Sequence, residues 1–122
     1  MTKIPNNKPV YDLEERTFQF AKAVRLFVKT LPKTIENVED GKQVVKASGS
    51  VGANYREANE SLSKKDFLMR MKISRKEAKE SVYWLRLIHE TNNLRNANEA
   101  QKLIQEANEL KKILSSILEK SK

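Results

Sequence analysis

Apolar residues recur at spacings of three and four along most of this chain of 122 residues, and that spacing is the period of an α-helix. Pro32 is the only proline after residue 9, so it is the one clear interruption. Asp12, Ser63 and Asn96 each precede an apolar run and are followed three residues later by an acidic residue, as at the start of many helices. The pattern therefore predicts an all-α protein with four helices and breaks near residues 32, 62 and 95.

One domain accounts for the whole chain, because 122 residues are enough to bury a core of their own. Within the predicted domain 1–122, residues 1–11 are polar and hold two of the three prolines, so we expect them to form an extended or mobile N-terminal arm. The pattern leaves residues 33–43 open, since they could belong to the second helix or make a turn at Asp40 and Gly41.

The second helix contains two glycines within the run SGSVGANYREANE, residues 48–60. A glycine-rich phosphate loop needs a Lys and a Ser or Thr behind it, and neither follows Gly52 here. The apolar period instead continues through the glycines, at Val44, Ala47, Ser48, Val51, Tyr55, Ala58 and Leu62. Each glycine costs about 1 kcal/mol relative to alanine within a helix, so we expect another helix or subunit to approach closely at Gly49 and Gly52.

Charge is the strongest compositional signal, because 24 Lys and Arg against 16 Asp and Glu give a net charge of +8. Such an excess favours an anionic partner such as RNA or DNA, although a basic surface can also serve solubility alone. The chain has no cysteine, and neither its opening residues nor any later stretch has the apolar length of a secretion signal or a membrane span. We therefore expect a cytoplasmic protein that does not associate with membranes.

The third predicted helix carries many of the basic residues, opposite an apolar face. Its core positions are Phe67, Met71, Ser74, Ala78, Ser81, Leu85 and Ile88. At 100° per residue, an arc of about 80° on the other side holds Lys65, Lys72, Lys76, Lys79, Tyr83 and Arg86. This stripe is long enough to follow several phosphates, and Tyr83 could stack on an unpaired base. It predicts binding to a nucleic-acid backbone with little sequence preference and strong salt dependence.

A second apolar arc on the third helix lies more than about 90° from the core stripe and consists of Met69, Ile73, Trp84 and Leu87. One bundle core cannot bury both arcs, so we predict that the second belongs to a homo-oligomer interface. The alternative is that a loop or the N-terminal arm covers it. With the small face at Gly49 and Gly52 as another surface, each subunit would carry two different patches, as a closed ring requires.

Catalytic chemistry finds little support among the residues. Two acidic pairs are similar to the motifs with which helical nucleoside triphosphate pyrophosphatases hold magnesium, namely Glu57, Glu60, Glu77 and Glu80. The second pair has Glu where those enzymes have Asp, and a turn at 61–63 would separate the pairs by about 18 Å, too far to share an ion. A di-iron bundle requires a Glu three positions before a His ligand. His89 is the only histidine, and it has no acidic residue at that position. We therefore predict a protein without catalytic activity, metal site or cofactor.

The stretch from residue 48 to residue 85 resembles a known family. Together with Pro32, the runs SGSVGANYREANE and SKKDFLMRMKISRKEAKESVYWL are similar to the four-helix bundle proteins encoded in intervening sequences of bacterial 23S ribosomal RNA genes. The matching positions are Ser50, Val51, Asn54, Glu57, Ala58, Ser63, Asp66, Phe67, Ala78 and Glu80. The resemblance covers most of the chain, from about Tyr11 to the middle of the fourth helix.

This resemblance implies an antiparallel four-helix bundle that assembles into a homo-oligomer, specifically a ring of five subunits, with no established catalytic role. A related branch serves as the accessory variability protein of diversity-generating retroelements and binds nucleic acid and a reverse transcriptase. Two hypotheses follow. One is an oligomer that binds nucleic acid, with or without recruitment of a reverse transcriptase, and the other is a structural oligomer whose charge is surface chemistry alone.

Overall fold

The computed structural model describes residues 12–122, and this part of the chain forms four α-helices and no β-strand. The helices are α1 (Leu13–Val28), α2 (Ile35–Asn59), α3 (Lys64–Thr91) and α4 (Ala97–Ser121). Short connections make consecutive helices antiparallel, each helix packs on the next, and α1 and α4 close the bundle. The predicted all-α fold with four helices is confirmed, whereas the predicted arm of residues 1–11 lies outside the described residues.

Side-chain caps fix two of the predicted helix starts. The carboxylate of Asp12 and the hydroxyl of Ser63 each accept a hydrogen bond at 3.0 Å from the backbone N–H three residues further on. Asn96 also stands at a helix start, but its side chain makes no cap and instead donates to Thr30 Oγ1 at 3.0 Å. That bond ties the α3–α4 connection to the α1–α2 connection at one end of the bundle.

The second helix includes most of the stretch that the sequence left open, since α2 begins at Ile35. Thr34 is its N-cap, and its hydroxyl accepts a backbone N–H of the first turn at 3.1 Å. The helix continues through Asp40 and Gly41 without a turn. Gly41 is buried, and a Cβ added there would lie only 3.1 Å from Val28 Cγ1. This glycine therefore serves close helix packing and not chain reversal.

Two clusters of buried apolar side chains form the core. The first draws on all four helices and includes Phe20, Val24, Phe27, Val44, Leu85, Ile88, Leu103 and Leu110. The second lies between α2, α3 and α4 and contains Val51, Ala58, Met71, Ala78, Leu114 and Leu118. The core positions predicted for α3 are buried, except that Phe67 is partly buried. Leu62 is fully exposed, against the prediction, because α2 ends at Asn59 and Leu62 lies in the connection to α3.

Buried polar side chains fix how the helices align. Ser74 Oγ donates to the carbonyl oxygen of Val51 at 2.7 Å, which sets the register of α3 against α2. At the end that holds the α1–α2 and α3–α4 connections, Asn37 and Asn92 form a reciprocal pair. The side-chain amide of each donates to the side-chain oxygen of the other at 2.8 Å, and each also donates to a backbone carbonyl.

The small face of α2 packs beside α1 of the same chain. Gly52 is buried, and a Cβ added there would lie 2.8 Å from Thr17 Oγ1 and 3.1 Å from Thr17 Cβ. At Gly49, an added Cβ would lie 3.0 Å from Nη2 of Arg25, which is the flexible end of an exposed side chain. Thr17 of the same chain therefore accounts for the close approach at Gly52, and a role of Gly49 and Gly52 between subunits stays a prediction.

Candidate nucleic-acid interface

The outer face of α3 carries a row of basic side chains. Because the buried residues of α3 point toward the other helices, the opposite side of the helix points to solvent. Every member of the predicted stripe is exposed, namely Lys65, Lys72, Lys76, Lys79, Tyr83 and Arg86. At 1.5 Å per residue, the row is about 30 Å long. It is therefore accessible to an extended ligand along most of the helix.

Four lysines of this row form no ion pair within the described chain. Within residues 12–122, no carboxylate lies within 4.0 Å of the amino group of Lys65, Lys72, Lys76 or Lys79. Arg86 differs, since it pairs with the exposed carboxylate of Glu90 at 3.2 Å. An exposed pair of this kind contributes little free energy, so it leaves Arg86 able to exchange partners. The row thus presents four ammonium groups that are not held in ion pairs within the described chain.

Tyr83 lies within this row, between Lys79 and Arg86. Its ring stands edge-on to that of Trp84, with ring centroids 4.9 Å apart and an angle of 83° between the planes. Trp84 packs against the first core cluster, so the contact gives Tyr83 a fixed support. Of Tyr83, 56% remains exposed, and this surface is available for a base to stack on.

Of the residues predicted for the oligomer interface on α3, two border one groove and a third borders another. Met69 is 47% exposed and borders a shallow groove at the start of α3, together with Ile73. Trp84 borders a different groove between α3 and α2, beside Lys46. Ile73, Trp84 and Leu87 are partly buried within their own bundle. Their role between subunits stays a prediction.

Another groove lies between α1 and α2, and among its lining residues the sequence had indicated the glycines as a candidate contact surface. It has a volume of about 480 Å³, and its apolar lining consists of Phe18, Ala21, Leu26, Gly49, Gly52 and Ala53. Phe18 is 57% exposed and Leu26 53%. Both residues lie outside the apolar stripe that packs α1 into the core. Large apolar residues outside the core stripe of a helix are the sequence signal that could have revealed this surface.

Two kinds of site are absent from the described residues. Across residues 12–122, no three His, Cys, Asp or Glu side chains lie close enough together to hold a metal ion. The register set by Ser74 and Val51 places Glu57 about nine residues from the level of Glu77, which is about 14 Å along the bundle. In the same part of the chain, no helix combines the length and the apolar character that crossing a bilayer requires.

Comparison with known proteins adds a family and a solved structure. The family model described as 23S rRNA-intervening sequence protein matches residues 11–116. Among curated proteins, none matches the chain. A similar solved structure is the crystal structure of a protein of unknown function from the S23 ribosomal protein family of Bacteroides thetaiotaomicron VPI-5482, with 28% identity and a TM-score of 0.75. The match covers 86% of this chain and 96% of that chain.

Proposed function

The chain belongs to the 23S rRNA-intervening sequence protein family, and we propose that it is a non-enzymatic protein that binds nucleic acid through the outer face of α3. The observation that carries this proposal is the row of four exposed lysines without acidic partners in the described chain. A nucleic-acid backbone presents evenly repeated phosphates to such a row. Each lysine that neutralises a phosphate releases a condensed counterion, and this release favours binding.

The proposed contact is to the backbone of the nucleic acid and not to base edges. Lysine presents a compact point charge, without the planar fork by which arginine reads guanine. Tyr83 adds a stacking surface, which an unpaired base can use and a paired base cannot. We therefore propose single-stranded segments as the preferred ligand, bound with little sequence preference.

Fluorescence anisotropy with a labelled oligo(U) of about 20 nucleotides tests this proposal. Each phosphate contact to a single strand contributes about −0.7 to the slope of log K against log salt, so four lysine contacts give a slope of about −3. Reversing Lys72, Lys76 and Lys79 to Glu should weaken binding at least about tenfold at low salt and flatten the slope, because three of those contacts are replaced by repulsion.

The matched control reverses Lys102, Lys112 and Lys120, which are exposed on the outer face of α4. Both triple variants change the net charge by the same amount. An equal loss of binding in both would show a general charge effect and contradict the placement of the site on α3. No detectable binding by the wild-type protein at low salt would contradict the proposed function itself.

We also propose that the protein acts as a homo-oligomer, and we expect the ring of five subunits that the resemblance implies. Exposed apolar side chains support association, since Phe18, Leu26, Ile35 and Val38 are each at least 41% exposed. Light scattering at micromolar concentration measures the mass directly. A mass of 14.1 kDa, that of a single chain, would contradict the proposal.

A purely structural oligomer is the second candidate function, and the same apolar surfaces favour it. The ratio of absorbance at 260 and 280 nm separates the candidates in protein purified without nuclease or high salt. Retained nucleic acid would support nucleic-acid binding, and its absence would favour the structural oligomer. Recruitment of a reverse transcriptase gains no support from the comparisons above.

A further inference from the structure

The groove between α1 and α2 has the chemistry of a surface that contacts protein. The floor of the groove has few side-chain atoms, because Gly49 and Gly52 have no side chain. Its walls include the ring of Phe18 and the side chain of Leu26, each more than half exposed to solvent. Burying this apolar surface against another apolar surface is favourable.

The rim of this groove is basic. Lys22, Arg25 and Arg56 border it, against a single acidic residue, Glu14. Within residues 12–122, Lys22 and Arg25 have no carboxylate within 4.0 Å, and Arg56 reaches Glu14 only at 4.0 Å. An occupant that combines apolar and acidic side chains would therefore match both the walls and the rim.

The start of α2 offers that combination on the chain itself. Ile35 is 82% exposed and Val38 41%, although both are apolar. Three carboxylates stand among them, at positions 36, 39 and 40. A glutamate in the first turn complements the helix dipole, but that role does not explain two exposed aliphatic side chains.

These carboxylates repel one another within the chain. Burial, and then the charges of Glu36 and Glu39, raise the pKa of the Asp40 carboxyl above its usual value. Lys42 offsets only part of this charge, through an exposed pair with Glu39 at 3.5 Å. A basic surface supplied by another chain would relieve the remaining repulsion.

We propose that the groove between α1 and α2 binds the start of α2 of a second copy of this chain. Ile35 and Val38 then pack against Phe18 and Leu26, and the carboxylates face the basic rim. This contact rests on the self-association part of the proposed function and is independent of nucleic-acid binding. Within one chain the start of α2 lies about 20 Å along the helix from Gly49 and Gly52 at the floor of the groove, so the start of α2 cannot fill its own groove. Each copy carries one of each, so the contact repeats until the assembly closes.

Light scattering on two single variants tests this contact. Leu26→Asp places a carboxylate in the groove, and Ile35→Asp places one in the apolar part of the α2 start. Each variant alone should have the mass of a single 14.1 kDa chain, whereas the wild-type protein is larger. A mixture of the two should give a species of two chains, because the intact groove of one meets the intact α2 start of the other.

Leu62→Asp is the matched control and should keep the wild-type mass, because Leu62 is fully exposed and lies in neither surface. Circular dichroism verifies folding, and Phe18→Asp replaces Leu26→Asp if the latter does not fold. A wild-type mass for the groove variant, or only single chains in the mixture, would overturn the contact. A single-chain mass for the wild-type protein would overturn self-association too. Anisotropy with oligo(U) on the same samples reports separately on the α3 site.

Discussion

Two asparagine side chains close one end of the bundle with a full set of hydrogen bonds. Asn37 is 3% exposed, and its amide donates to Asn92 Oδ1 at 2.8 Å and to the Pro32 carbonyl at 3.0 Å. Asn92 returns the bond to Asn37 Oδ1 and also donates to the Ile88 carbonyl, both at 2.8 Å. Such a pair is favourable only while both partners are present, because a lone buried amide loses its hydration without compensation.

Asn37→Ala should therefore lower the free energy of unfolding by about 1–3 kcal/mol, measured by urea denaturation. Asn37→Asp should cost more at neutral pH, since a carboxylate oxygen would face the Pro32 carbonyl and Asn92 Oδ1, with no hydrogen to donate. Asn93→Ala is the control, because Asn93 is exposed beside Asn92 in the α3–α4 connection. This substitution should change the free energy of unfolding by less than about 0.5 kcal/mol. Equal midpoints for the variants at positions 37 and 93 would contradict this account.

Tyr83 makes a residue-scale prediction about the nucleic-acid site. Tyr83→Ala should weaken binding to oligo(U) by about 1–3 kcal/mol, because the stacking surface is lost, whereas Tyr83→Phe should bind like the wild type. Anisotropy with a duplex RNA of similar length is the control, and binding to it should change little because its bases are already stacked. Undiminished affinity of Tyr83→Ala for oligo(U) would remove Tyr83 from the site.

At the scale of helices, two glycines one turn apart on α2 meet different parts of α1. Beside Gly52 stands Thr17, whose hydroxyl is held by a hydrogen bond to the Leu13 carbonyl at 2.7 Å. Beside Gly49 stands the end of the Arg25 side chain, which can move into solvent. The same substitution should therefore have opposite effects at the two positions.

Gly52→Ala should lower the free energy of unfolding by roughly 1 kcal/mol, because overpacking costs about 1–3 kcal/mol and helix propensity returns about 1 kcal/mol. Gly49→Ala should raise the free energy of unfolding by up to about 1 kcal/mol, since the propensity gain meets little resistance. Urea denaturation of both variants, compared with the wild type, gives the sign of each change in the free energy of unfolding. A shift in the same direction would show that the fixed position of Thr17 does not set the packing distance.

The helices themselves could be predicted from the sequence, because their period and caps are local signals. The cap at Ser63 and the exposed stripe on α3 follow from residues within a few turns of one another. The extent of α2 could not be predicted, since Gly41 is a turn signal until the position of Val28 on α1 is known. The groove between α1 and α2 was missed for the same reason. Its existence depends on how two helices cross, which no single segment encodes.

In the whole bundle, α1 is the helix with the least support. It has 16 residues where the others have 25 to 28, and none of its described residues belongs to the second core cluster. A bidentate ion pair joins α1 to α4, in which Arg16 Nε and Nη2 donate to the carboxylate oxygens of Glu106 at 2.8 and 2.9 Å. The hydrogen bond to Glu106 raises the pKa of the Arg16 guanidinium, so this cation stays charged.

Hydrogen exchange should show this hierarchy, with amides of α1 exchanging faster than those in the middle of α3. Arg16→Ala should speed exchange in α1 by roughly two- to fivefold, in line with about 0.5–1 kcal/mol for a partly exposed pair, and leave α3 unchanged. Lys29→Ala is the control, because Lys29 is an exposed cation at the end of α1, lies outside the groove and has no ion pair in the described chain. Uniform acceleration across all four helices would mean that α1 does not open separately.

The connection around Leu62 has a consequence for protein engineering. This connection joins the hairpin α1–α2 to the hairpin α3–α4. The side chain of Leu62 is nevertheless fully exposed, and α3 begins with its own cap at Ser63. The pairs Ser74–Val51 and Asn37–Asn92 link the hairpins without using this connection. We therefore expect the two hairpins to reassociate when they are produced as separate chains divided at Leu62, and fusing one half of a split fluorescent protein to each would turn bundle formation into a signal in living cells.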